Sequence, residues 1–290
     1  MVNYAQDQMA PYAWMLGRFV LPASRLDEFE ALLPTLEDSK ASQWSLSVIL
    51  SKDVESEIEK MRSALLPRGD AKGERSSATL SRCVPVADSL NNPNIAVTAL
   101  EFPSLAPTQI ERILPHLPTG VDSFFEIPLS ENPEPYLAVL QHRGAAAKVR
   151  TGGITADAFP NVSQLCECIL AFAQAKVPFK ATAGLHHPLR GQHRLTYEPD
   201  SSSTMMYGFL NVAVLAALVY WQKLTPQEGL EVLEESSIEG FQFKVDGISW
   251  RDRDLNISQI AETRQRFFRS FGSCSFQEPI DDLKHLKLLT

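Results

Sequence analysis

Apolar runs of strand length alternate with longer segments of helical spacing along most of this 290-residue chain. The runs at 14–21 (WMLGRFVL), 44–50 (WSLSVIL), 94–101 (NIAVTALE), 121–127 (VDSFFEI), 145–150 (AAAKVR) and 177–182 (VPFKAT) read as strands. Helix signals follow them, such as Ser24 ahead of LDEFEALL with Asp27 at a capping-box offset. Further short runs at 241–244, 248–250 and 274–276 bring the count to about eight strand–helix units, with a helix expected over 256–271. Alternation of this kind implies a parallel sheet covered by helices. Eight units in this length predict a single (β/α)8 TIM-like barrel domain over 1–290, with a doubly wound open sheet as the alternative. The polar, Gly- and Ser-containing stretch near 67–92 reads as a loop excursion. No Gly-x-Gly-x-x-Gly and no P-loop is present, so nothing points to a nucleotide-binding α/β sheet.

An internal echo supports repetition. Leu100 to Leu105 reads LEFPSL and Phe125 to Ser130 reads FEIPLS. Each places a glutamate, an apolar residue and a proline where a strand ends, one strand–helix unit apart. A looser version is VLPAS at 20–24.

Composition narrows the function classes. Lys and Arg number 27 against 35 Asp and Glu, a formal charge of −8. A general nucleic-acid binder needs a basic footprint, which this chain lacks. An anionic ligand must therefore be held by a local basic pocket. Four cysteines in a chain this long make no disulfide framework. The Cys166-x-Cys168 pair has the look of a zinc fragment, but on a helix residues two apart point in different directions. The N-terminus has neither a basic n-region nor an apolar h-region, so a cytoplasmic protein is expected. The uncharged run 205–221 sits at the lower limit for a membrane span, and its Tyr207, Gly208 and Asn211 favour a buried core helix. No membrane partner is expected, and the sequence carries no sign of oligomeric state.

In a barrel the active site lies at the C-terminal strand ends. The polar residues there are Glu101, Glu126, Lys148 and Arg150, then Thr151, Gly152 and Gly153, then Lys180 and Thr182, with His186, His187 and Arg190 beyond. Side chains alternate along a strand, so Lys148 and Arg150 share one face, as do Lys180 and Thr182. Charges on strands buried on both faces need partners, which Glu101 and Glu126 can supply. A salt-bridged ring closing the barrel is the structural alternative. Gly152 and Gly153 let backbone N–H groups approach an anion, although Gly-Gly is also a common turn signal. His186, His187 and His193 with Glu101 or Glu126 offer a divalent-metal alternative, or one histidine general acid–base work. Cys274 reads as a buried structural cysteine, with a nucleophile as the alternative. Ser273 and Ser275 beside it could add donors to an anion site.

If the strands at 145–150 and 177–182 are neighbours, Lys148 and Lys180 lie side by side. A nearby cation and burial both disfavour a protonated amine, which is the logic of a Schiff-base lysine. The segment Lys180-Ala181-Thr182-Ala183-Gly184 resembles the lysine strand of the deoxyribose-phosphate-aldolase-type class I aldolases. Lys148 with Gly152-Gly153-Ile154 resembles that family's second lysine strand, which ends in Gly-Gly, although here it precedes rather than follows the first. The resemblance implies Lys180 as Schiff-base lysine, Lys148 as the neighbour lowering its pKa, and Gly152 and Gly153 as phosphate binders. The wider pattern, with R-T-G-G, F-K-A-T-A-G-L-H-H-P and G-S-C-S-F-x-E-P, resembles an uncharacterised bacterial family and implies no activity.

The expectation is therefore an enzyme, lyase-like or isomerase, acting without a cofactor on a small anionic carbonyl compound. Lys180, Lys148, Glu126 and His186 would be catalytic. Arg150, Thr151, Gly152, Gly153, Thr182, His187, Arg190, Glu101, Ser273 and Ser275 would bind substrate. The alternatives are metal-assisted catalysis and a barrel that binds a ligand or partner without catalysis.

Overall fold

The computed structural model describes the backbone of residues 1–35, 43–65 and 95–289. The loop excursion expected near 67–92 lies outside the described residues. The chain divides into two compact units, Met1–Phe124 and Phe125–Thr290.

The first unit holds helices α1 (Val2–Asp7), α2 (Leu26–Leu32), α3 (Val54–Leu65) and α4 (Pro107–Ile113). Its strands are β1 (Phe19–Pro22), β2 (Trp44–Ile49) and β3 (Ile95–Phe102), and it includes the start of β4 (Asp122–Glu126). β1 pairs with β2 and β2 with β3, all parallel. The expected first strand is shifted: Trp14 lies in a 3-10 turn, mostly exposed, and pairing begins at Phe19. What fixes β1 is an aromatic cluster, in which Phe19 packs 5.5 Å from Trp44 and 5.6 Å from Phe29. At one end of these strands Arg18 bonds Asp122 at 2.6 Å and Thr98 at 2.8 Å. Glu101, 2 % exposed, accepts a 2.7 Å bond from the Ser47 hydroxyl.

In the second unit the end of β4 is followed by α5 (Glu134–Leu140), β5 (Ala146–Arg150), α6 (Val162–Ala175) and β6 (Phe179–Thr182). A hairpin comes next, β7 (Gly191–Arg194) and β8 (Ser203–Met206). Then come α7 (Phe209–Trp221), α8 (Pro226–Glu234) and an antiparallel sheet of β9 (Phe241–Lys244), β10 (Gly247–Trp250) and β11 (Arg253–Asn256). The chain ends with α9 (Ile257–Arg266), β12 (Phe268–Phe271) and α10 (Gln277–His285). The parallel order is β4-β5-β6-β12.

The protein is thus an α/β fold with parallel strands and covering helices. Within each unit strand order follows chain order, with no reversal of the kind that makes the switch point of a doubly wound sheet. Among the described residues seven strands carry the parallel pattern, against the eight expected of a closed barrel. The run 241–250 belongs to the antiparallel sheet, where Lys244 pairs with Asp254 at 2.8 Å. The run 274–276 is not a strand; the last parallel strand is β12, whose residues were expected at the end of a helix. α9 stops at Arg266, and Phe268 and Phe271 are drawn into pairing with β6.

Caps set the helix boundaries. Asn161 accepts from the Gln164 N–H at 2.9 Å, Thr225 from Glu228 and Asn256 from Gln259, each in a reciprocal capping box. α7 is apolar on all sides, as a helix enclosed by protein should be. Its one buried polar residue, Asn211, is fully satisfied. It accepts from the Arg190 N–H and donates to the carbonyls of Val232 and Glu235. No helix among the described residues is long and apolar enough to cross a membrane.

Candidate active site

β5 and β6 are neighbours, and their register sets Lys148 opposite Lys180 and Arg150 opposite Thr182. The lysines are 4 % and 5 % exposed. Burying a cation is costly unless it is paired, and the Lys148 amine lies 3.1 Å from Glu126 Oε2. Arg150 is exposed at the strand end and Thr182 half-buried.

The open pocket lies elsewhere along the same strands. It has a volume of about 260 Å³ and lies just beyond the C-terminal ends of three parallel strands. Gly153 follows β5, Gly184, His186 and His187 follow β6, and Cys274 and Glu278 follow β12. The β7–β8 hairpin adds His193, Arg194 and Tyr197. Carboxyl ends of parallel strands are the recurrent place for ligands in α/β folds, because loops from several strands converge there.

Cys274 is exposed, against the expectation of a buried structural cysteine. Its Sγ lies 3.7 Å from Nδ1 and 3.9 Å from Nε2 of His186, and 3.6 Å from the Tyr197 hydroxyl. The imidazole pulls the thiol below its ordinary value. Partial burial opposes this, and the Tyr197 hydroxyl reinforces it. The same contact raises the His186 pKa against the effect of burial, and the charges of Cys274 and Glu278 add to the rise. A thiolate beside an imidazolium is the activated form of a cysteine nucleophile.

The surroundings hold this pair in place. His186 Nδ1 stands 2.9 Å from the Ser273 hydroxyl and 3.5 Å from Glu278 Oε2. The Tyr197 hydroxyl donates to Glu278 at 3.1 Å; its own pKa is raised, by burial first and by Cys274 and Glu278 after. Ser273 and Ser275 tie their own loop, accepting from the N–H groups of Ser275 and Glu278. His187 binds Asp282 at 2.6 Å and stacks on His193 with ring centroids 3.4 Å apart. Burial and the neighbouring His187 both lower the pKa of His193.

The glycines of the expected anion loop serve close packing. A Cβ on Gly152 would fall 2.4 Å from the Phe159 ring, and one on Gly153 2.7 Å from Ala158. Thr151 is wholly buried and donates its hydroxyl proton to the Ala183 carbonyl at 2.5 Å. Ala183 (φ 62°) and Gly184 (φ 77°) are both left-handed, which costs about 1–2 kcal/mol at a non-glycine residue. Arg190 stacks over Tyr207 at 5.1 Å.

The structure thus joins Lys148 with Lys180 and Glu126, and His186 with Ser273. It brings the histidines to Glu278 and Asp282, while Glu126 lies against Lys148. Glu101 belongs to the first unit, with Ser47. No group of three side chains placed to hold a metal is found among the described residues. Cys166 and Cys168 lie on α6, both buried, with burial pushing their thiols up to about 11 and about 12. Sequence reasoning missed the pairing of Cys274 with His186, and it missed Tyr197 and Asp282 altogether. The available signal was a run of small polar residues before Glu278, matched by paired histidines after another strand. No protein-family model, curated protein or solved structure matches the chain.

Proposed function

We propose that the protein is an enzyme acting on a small polar acyl compound, an ester or thioester, with Cys274 as nucleophile and His186 as its acid–base partner. The observation that carries this reading is the Cys274–His186 contact in an open pocket at the strand ends. The Cys274 sulfur attacks the carbonyl carbon, forming a C–S bond as the C=O electron pair moves to oxygen. Collapse breaks the bond to the leaving group, which takes its proton from the His186 imidazolium. Water, deprotonated by His186, then releases the acyl group and restores the thiol. An anionic substrate suits the pocket, because Arg194 lines it and Arg150 lies beside Gly153. Neither arginine is in an ion pair among the described residues. We read the sequentially wound sheet as barrel-like and the setting as cytoplasmic, where free thiols stay reduced.

A second reading keeps Lys180 as a Schiff-base lysine, favoured by its register opposite Lys148. Against it, the Glu126 carboxylate lies 3.1 Å from the Lys148 amine and offsets the charge that would act on Lys180.

One experiment addresses both. Small esters, thioesters, aldehydes and ketones, with carboxylated and phosphorylated members, would compete against iodoacetamide labelling of Cys274. The same mixtures would be treated with borohydride and mapped by mass. Protection or acylation of Cys274 by members of the set is the expected result. An adduct on Lys180 with Cys274 unprotected would replace this reading by the second.

A further inference from the structure

We infer that Thr151 is a positioning residue for the cysteine–histidine pair, a role that rests on the proposed function of that pair. The chain must leave β6 at Thr182 and bring His186 to Cys274 four residues later. It does so through two successive left-handed residues, Ala183 and Gly184. Alanine does not adopt that conformation without support.

The support comes from the end of β5. The Thr151 N–H donates to the Thr182 carbonyl at 2.9 Å, which continues the ordinary ladder between β5 and β6. The side chain then adds a bond that the ladder cannot. Its hydroxyl donates at 2.5 Å to the carbonyl of Ala183, the first residue past the strand, while the Thr182 carbonyl is 3.3 Å away. One hydroxyl proton makes one strong bond, and the shorter contact takes it. The turn is also seated on this segment: a Cβ on Gly184 would lie 3.0 Å from Gly152 Cα and 3.2 Å from the Thr151 carbonyl. Thr151 is 0 % exposed, so no water replaces the bond if the hydroxyl is removed. The hydroxyl thereby fixes the path along which His186 reaches Cys274. This gives the R-T-G-G segment a task in the pocket that is distinct from anion binding.

The test uses Thr151→Val, Thr151→Ala and Thr151→Ser, each checked for folding by circular dichroism and thermal melting. The readout is the pH dependence of iodoacetamide reaction at Cys274, resolved by peptide mass. Removing the hydroxyl, in Thr151→Val, is expected to raise the inflection by about one pH unit and to slow reaction below it about tenfold. Thr151→Ala should match it, and Thr151→Ser should keep the wild-type inflection. Should the valine variant fail to fold, the alanine–serine comparison decides. Equal shifts in Ala and Ser would assign the effect to packing of the methyl group and overturn the inference. A low wild-type inflection left unmoved by Val or Ala would overturn it alone. An ordinary wild-type inflection would overturn both this inference and the reading on which it rests.

Discussion

Replacing Phe179 by alanine is expected to destabilise the protein by about 3–5 kcal/mol, the usual cost of deleting a buried aromatic ring. Phe179 is fully buried on β6, between β5 and β12. Its ring centroid lies 5.3 Å from Phe172, 5.1 Å from Phe267 and 5.0 Å from Phe268. Phe172 belongs to α6, Phe268 to β12 and Phe267 immediately precedes β12, so the side chain ties β6 to a helix and to the neighbouring strand. Its backbone adds to this, donating to the Phe267 carbonyl at 2.7 Å. Rigid secondary structure on every side limits how far the cavity can collapse, and that sets the cost. Urea unfolding should show a lower midpoint with little change in slope. A loss below about 1 kcal/mol would mean that the ring is not sealed in the core.

Replacing His186 by glutamine should have the largest effect at the site. The imidazolium stabilises the thiolate, so its removal moves the Cys274 pKa upward, toward the ordinary value of about 8.5. Fewer molecules then carry the thiolate at any pH below that value. Iodoacetamide reaction at Cys274 should fall about tenfold or more at pH 6.5. At pH 10 the two proteins should converge, because both thiols are then ionised. Equal rates at pH 6.5 would show that His186 does not activate the cysteine.

Strands β2 to β6 were legible because each lies in a largely apolar run of six to eight residues set off from the helical segments around it. β12 was not. Its four residues continue the pattern of α9 without a Gly or Pro, and periodicity cannot assign so short a run. Its strand character comes from packing against Phe179, which is far away in sequence. The hairpin β7–β8 was hidden as well, since its strands have four residues each and few apolar positions to show a period. The lysine pair was readable from side-chain parity once two strands were taken as neighbours, and the register bears that adjacency out. The cysteine pair was not readable. Cys274 and His186 are 88 residues apart and meet only because β12 lies beside β6. No spacing rule reports that adjacency. The parallel strand order puts both residues at one end of the sheet, and the left-handed turn after β6 completes the approach.

The proposed function requires Cys274 to be held as a thiolate by His186 in the open pocket. The most direct test is the rate of iodoacetamide reaction at Cys274 in the wild-type protein from pH 5 to pH 10, followed by peptide mass. The expected result is an inflection below the ordinary thiol value of about 8.5, with Cys166 and Cys168 unlabelled while the protein is folded. An inflection at or above that value, or labelling of Cys274 no faster than in the unfolded chain, would contradict it.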